Sequence, residues 1–504
     1  MLRNVGSTWV LTLVTIAAMY VLMPFVIHRL GEEGYGTWTL ITAMTGYMNL
    51  MALGVPMACV RYLAQHVAEG DQRKMNETIG SCAGLYLMLG LATALVGAVL
   101  TFVFVFVFAH DIPAAWRAEA PLAFGLMVLQ VSAGFIGLLP EGIMFAHHDF
   151  VLRNLVRIGG VILRLGLTIG LLQLDASLVA LAVVQLVCLG VDFGVSLLLI
   201  RRRYPKVRMS LGDFEWTMVR RIFSFSMYVL LLGAGARLSF ETDAIVIGAF
   251  LGVAAIPFYA VANSLVVYLM DFVIAIAAVV SPMATKLNTE RKLDELREMF
   301  LRWSKVALSL TIMVGLFLIV LGPRFIGWWI SPDFERPSGQ VLQILMVSSF
   351  AFLPVRGVAL PVLMGLGRPR AATIAFVAAG VANFVLSALL ARPFGLAGVA
   401  VGTAIPNVLF AAFVLALACR ELEVSIPTYL QYVVPRALVG ALPILALLLW
   451  FRLRLQVASL VGLAAAGTAM MLLFGVTWVF FVYHDDPLVD VRPHLVRLRV
   501  WSRA

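Results

Sequence analysis

With 504 residues, 62% of them hydrophobic and only 13% charged, and a mean hydropathy of +0.99, the chain cannot be a soluble globular protein, whose apolar share is nearer one half with about a quarter charged. The net charge of +10 does not point to nucleic acid, because basic residues gathered beside apolar runs are the ordinary mark of cytoplasmic loops in a polytopic membrane protein. Cys59, Cys82, Cys188 and Cys419 stand singly in or at the ends of apolar segments, without the spacing of a metal site or a disulfide framework, and read as small packing residues.

In chain order, Arg3 precedes an apolar run from Ser7 to Ile27, which at about 1.5 Å per residue spans the roughly 30 Å hydrocarbon core. It ends in Pro24-Phe25 and His28-Arg29 instead of the small residues of a signal peptide, and so reads as helix 1. The same length criterion places further helices near 35–59, 78–109, 119–141, 155–174, 177–200, 222–248, 257–283, 306–326, 339–364, 371–391, 396–419, 437–452 and 459–482. The expected fold class is therefore all-α, a polytopic membrane protein of about 14 transmembrane helices. With the N-terminus inside, 27 of the 37 Lys and Arg fall in cytoplasmic segments, 7 outside, and 3 (Arg164, Arg237, Arg356) within spans, so both termini are expected in the cytoplasm. Asn288 to Trp303 then reads as a cytoplasmic helical extension with Leu293, Leu296 and Phe300 on one face. Leu211 to Ile222, with Phe214 and Trp216 among charges, reads as a segment lying on the inner leaflet.

An internal repeat organises this list. Leu30-Gly31-x4-Gly36-x-Trp38 recurs as Leu251-Gly252-x4-Pro257-x-Tyr259, 221 residues later, and the same offset superimposes charged loops and polar breaks along both halves. The expected organisation is an N-lobe at 1–200 (helices 1–6), a basic cytoplasmic linker at 201–221 with seven Lys/Arg, and a C-lobe at 222–420 (helices 7–12). Two extra helices at 421–482 and a cytoplasmic tail at 483–504 follow. No outer loop exceeds about a dozen residues, too few for a water-facing catalytic domain. A repeat of two six-helix halves is a transporter plan with a substrate path between them. No phosphate loop or ATP-binding segment is present in the sequence, no cofactor is expected, and His147-His148-Asp149 reads as a loop, since consecutive residues do not converge on one ion.

LGEEGYGTWTLITAMTGYMNLMALG (Leu30 to Gly54) and MGLGRPRAATIAFVAAGVANFVLSALLARPFGLAGVAVGTAIPN (Met364 to Asn407) resemble the polysaccharide-transporter branch of the multidrug/oligosaccharidyl-lipid/polysaccharide exporter superfamily. The likeness runs through helix order, loop lengths and the two extra helices; Pro257 departs from the glycine expected in the second copy. It implies a Wzx-like flippase for undecaprenyl-diphosphate-linked O-antigen or exopolysaccharide units, in the inner (plasma) membrane of a bacterium. It also implies a cationic headgroup cavity between the lobes and a lipid-tail groove formed with the last two helices. Polysaccharide polymerase or glycosyltransferases are the expected protein partners, and Na+ or H+ the expected coupling ions. The alternative is a cation-coupled multidrug or metabolite antiporter of the same superfamily; a major-facilitator carrier would place its extra helices between the halves.

Charges inside spans are costly and so mark candidate sites. Arg164 and Asp192 lie at similar depth on adjacent helices and read either as an ion pair or as part of a ligand site. Arg237 has Glu241 at i+4 and Asp271 at a matching depth on the next helix; Asp243 falls where relatives carry an Asp on helix 7, or is merely solvated near the outer surface. Arg356 has no acidic partner on its own helix. These six, Arg237, Arg356, Arg164, Asp271, Glu241 and Asp243, form the expected substrate site, with arginines holding the diphosphate. Asn49, Asn263, Asn383, Asn407, Gln130 and Gln185 read as interhelical hydrogen bonds before sugar contacts.

Overall fold

The computed structural model describes residues 2–489 except 53, 109–111, 221, 223–232, 236, 240 and 455–458, with only the backbone of 2–5, 9 and 278. Every regular element among the described residues is helical, and eleven are long and apolar enough to span a membrane. The chain divides into two compact units, Met1–Pro257 and Phe258–Ala504.

The first unit holds α1 (Leu2–Met48), a 3-10 turn at Asn49–Ala52, α2 (Val55–Glu69), α3 (Gln72–Phe108), α4 (Ala120–Ala146), α5 (Phe150–Leu174), α6 (Leu178–Arg203) and α7 (Thr242–Phe250). At 47 residues, α1 is far longer than one crossing requires, and it is broken at Gly31, whose φ of 70° and ψ of 176° form a conformation open essentially to glycine alone. Gly252, its partner in the repeat, has φ 92° and ψ 157°. The sequence repeat is thus a repeat of backbone geometry. Gly36 is required for a different reason: a Cβ there would stand 2.1 Å from the Val253 carbonyl oxygen. Pro257 occupies the first turn of α8, where a missing N–H costs nothing, so the departure from glycine leaves the turn intact. Because α7 and the 253–255 turn pack on α1, they belong to the first compact unit.

The linker docks onto α3. Gly80 and Gly84, one turn apart, make room for Asp213 and the Phe214 ring, and the Ser81 hydroxyl accepts from the Glu215 amide at 2.9 Å. Phe214 and Trp216 stay 38% and 55% exposed, so an apolar edge remains outward as a leaflet-facing segment needs. Cys59 of α2 and Cys82 of α3 are joined as a disulfide, with sulfurs 2.50 Å and Cα atoms 6.3 Å apart. The reading as single packing residues therefore holds for the buried Cys188 and Cys419 only, because the helix hairpin, not the spacing, brings the first two together.

The second unit holds α8 (Ile256–Ile274), α9 (Ala277–Thr289), α10 (Leu293–Val320), α11 (Gly322–Trp329), α12 (Pro332–Pro354), a π turn at Val355–Ala359, α13 (Leu360–Gly365), α14 (Arg370–Glu421), α15 (Ile426–Val433), α16 (Pro435–Leu453) and α17 (Leu460–Thr477). The 52-residue α14 is two helices folded at Gly395, with φ 59° and ψ −144°. They pack so closely that a Cβ at Gly402 would meet Ser387 at 2.5 Å, and Asn383 donates to Thr403 at 3.2 Å. Asn383 is thus an interhelical hydrogen bond, as expected. The expected extension at 288–303 is the start of α10, with Leu296 and Phe300 fully buried, while Leu293 is exposed. The polar residues at 332–339, ahead of the helix expected near 339–364, form the first turns of α12, because extended Ser331 followed by Pro332, Asp333 and Glu335 is a helix-start pattern. Helix 7 of the sequence reading (222–248) lies partly outside the described residues, as does the tail beyond residue 489.

Reporter fusions give a direct check of orientation. Fusions after Arg208 and Arg302 are expected to report cytoplasmic, and those near Ala114 and Glu335 periplasmic; the reverse pattern would invert the topology.

Candidate functional site

In the first unit the end of α1 meets the start of α7. Glu241 departs from helical geometry (φ −116°, ψ −14°), and Arg237, one turn earlier, forms an ion pair with it. The pair lies over Gly46, where a Cβ would stand 2.5 Å from Glu241 Oε2 and 3.2 Å from Arg237 Nη1. The Tyr47 hydroxyl donates to the Arg237 carbonyl at 3.2 Å and also pairs with the Thr242 hydroxyl. Each side chain of the pair keeps 31% of its surface open, yet Glu241 Oε2 has no hydrogen-bond partner among the described residues. Asp243 is only 3% exposed, in the first turn of α7. A merely solvated Asp243 is ruled out, and a helix N-terminus is where a buried carboxylate is best tolerated.

Arg164 of α5 reaches the Cys188 thiol of α6, and its Nε has no hydrogen-bond partner among the described residues. Asp192 lies against Gly160, one turn before Arg164 on the same helix, where a Cβ would stand 2.6 Å from its Oδ1. The two charges are neighbours without a direct ion pair among the described residues. Asp192 also lines a cavity of about 360 Å³ bounded by α4, α5, α6 and the Asn49–Ala52 turn. Here Glu141 near the end of α4 pairs with Arg153 and Arg157 of α5 at 3.3 and 2.7 Å, and Gln130, Asn49 and Ser196 add neutral polar groups. Sequence reasoning passes over Glu141, Arg153 and Arg157, because charges near helix ends look like ordinary loop charge. Their one legible signal is a carboxylate and two guanidiniums flanking a short turn. His148 in that turn adopts φ 59°, Asp149 accepts from the Tyr204 hydroxyl, and no metal-binding group occurs among the described residues.

In the second unit, Arg356 sits in the π turn, a wide turn often found at functional sites. Its guanidinium lies 4.5 Å over the Phe376 ring and its Nε finds no hydrogen-bond partner among the described residues. Asp271, near the end of α8, is exposed. The ion-pair partner of Arg237 is therefore Glu241 of its own unit. A further pair escapes sequence reading: Lys305 and Asp486 are ion-paired with side chains 1% exposed. Separately, α10, α12, α14, α15 and α16 line an open apolar groove of about 620 Å³, with Leu308, Ile312, Phe350, Val408, Leu430 and Val433 among its residues.

The family profile described as polysaccharide biosynthesis protein matches residues 1–288, more than half of the chain. The chain belongs to that family. A putative O-antigen transporter of Shigella flexneri is 20% identical over 411 residues, covering 79% of this chain and 93% of the relative. Among solved structures, the lipid II flippase MurJ in an inward closed conformation has a TM-score of 0.69 at 13% identity, covering 96% of this chain and 99% of its own length. An inward-facing multidrug resistance MATE transporter has a TM-score of 0.65 at 15% identity, covering 82% and 98%. This member of the family is a multi-pass inner-membrane protein whose fold is that of these solved structures.

Proposed function

We propose that the protein is a flippase that moves an undecaprenyl-diphosphate-linked oligosaccharide, such as an O-antigen or exopolysaccharide repeat unit, from the inner to the outer leaflet by alternating access. The observation that carries this reading is the 620 Å³ apolar groove, because α15 and α16, beyond the repeated helices, build one of its walls. A polyprenyl tail moves between lipid and this groove with little change in its apolar surroundings, and the apolar lining suits such a tail better than a cationic drug. In this scheme Arg237, with Arg356 and Arg164, holds the diphosphate. A guanidinium offers a planar fork to phosphate oxygens that have shed water. Glu241 serves as the counter-charge that keeps Arg237 poised when no substrate is present. Na+ or H+ supplies the coupling, and polymerase and glycosyltransferases stand on either side of the transport step.

Deletion of the gene is the test. It is expected to remove a surface or secreted polysaccharide and leave its lipid-linked repeat unit on the cytoplasmic face. Continued export in a strain with no second flippase, together with new sensitivity to cationic drugs, would instead establish the antiporter.

A further inference from the structure

The polar cavity of the first unit has walls whose charges cancel: Arg153 and Arg157 against Glu141 and Asp192. That balance selects its occupant. Both guanidiniums are already engaged by Glu141, at 3.3 and 2.7 Å, so a diphosphate would have to displace this carboxylate from two partners and then sit among two like charges. A neutral polyhydroxyl ligand meets no such opposition. Carboxylates that hold a guanidinium keep lone pairs for sugar hydroxyls, and the Gln130 and Asn49 amides both donate and accept. Phe135 and Phe193 add apolar surface for the C–H face of a ring. At about 360 Å³ the cavity is at the small end of ligand pockets, which run from roughly 300 to 1,000 Å³.

We infer that this cavity holds the saccharide end of the transported lipid, a neutral sugar of the repeat unit, and so contributes substrate selectivity. The inference rests on the flippase reading and adds to it a place for the glycan. Its position suits that role, because Asn49 lines the cavity and donates to the carbonyl of Gly46 at 3.2 Å, the glycine over which Arg237 and Glu241 lie. One short stretch of chain thus joins the proposed diphosphate and sugar positions.

Gly134 provides a clean probe. It lines the cavity on α4, and a Cβ there meets nothing within 4 Å, so a side chain has room to enter at this point; Gly134→Leu narrows the cavity and favours the helix. Gln130→Ala removes a polar contact by a different route. Two lipids are titrated onto the full-length protein in nanodiscs: undecaprenyl diphosphate without sugar, and the lipid-linked repeat unit extracted from cells lacking the gene. The unaltered protein is expected to bind the repeat unit about tenfold tighter, the worth of one hydrogen bond to a charged group. Each variant is expected to bring the repeat unit down to the affinity of undecaprenyl diphosphate, whose own binding stays unchanged. If the unaltered protein does not distinguish the two lipids, or if both variants weaken both lipids alike, the cavity does not hold the saccharide. If the unaltered protein binds neither lipid, the flippase reading fails and the sugar site falls with it.

Discussion

Arg237→Ala is expected to stop polysaccharide export while the protein accumulates normally in the membrane. The side chain is 31% exposed and joined to Glu241, so it is accessible to a ligand and neutralised when none is present. On the flippase reading, removing it deletes the fork that would replace the water shed by a diphosphate in a low-dielectric setting. Arg237→Lys is expected to restore only part of the transport, since an ammonium keeps the charge and loses the planar geometry. The competing outcome is loss of folded protein, because the substitution leaves the Glu241 carboxylate without its cation above Gly46. That account predicts that Arg237→Ala with Glu241→Gln recovers the amount of protein. Export measured beside membrane abundance separates the two, and normal export at normal abundance would exclude Arg237 from the site.

Lys305→Met is expected to destabilise the protein by about 3–5 kcal/mol, the cost of leaving one partner of a buried ion pair uncompensated. The Asp486 carboxylate is held by Lys305, by the Tyr432 hydroxyl at 2.7 Å, and by the Leu488 and Val489 amides at 3.0 Å each. Lys305 also donates to the Val482 carbonyl at 3.3 Å, and the Tyr483 hydroxyl to Ser309 at 3.1 Å. The network therefore ties α10 to α15 and to the chain that follows α17. A double variant, Lys305→Met with Asp486→Asn, is expected to recover part of the loss, since the charge is gone but hydrogen bonds are weakened. Thermal unfolding in detergent measures both. Burial pushes the Asp486 carboxyl up, but the hydrogen bonds from Lys305 and Tyr432 outweigh it and hold it below the usual carboxylate range. A depressed folded-state value means that this stabilisation is present at neutral pH and is lost as the pH falls through that value. An unfolding midpoint insensitive to Lys305→Met would show that the pair contributes nothing net.

Length and hydropathy were enough to place the chain in the membrane, to locate most of its helices, and to find the Leu-Gly turn that occurs twice. Each of these is a local property: about twenty apolar residues span a bilayer wherever they pack, and a glycine with positive φ marks its own turn. Asn383 was legible too, because an amide in an apolar helix must find a partner on another helix. The site was legible only in part. Arg237 with Glu241 could be read from i, i+4 spacing, but Glu141 with Arg153 and Arg157 depends on how α4 and α5 turn, and Lys305 with Asp486 joins residues 181 apart. Lys305 counts as a loop charge in the sequence, and Asp486 as part of a tail. A helix in a bilayer is apolar on its lipid face as well as its packed face, so periodicity does not reveal which side chains turn inward. Only tertiary packing decided which charges share a cavity, which are sealed from water, and which carboxylate each arginine meets.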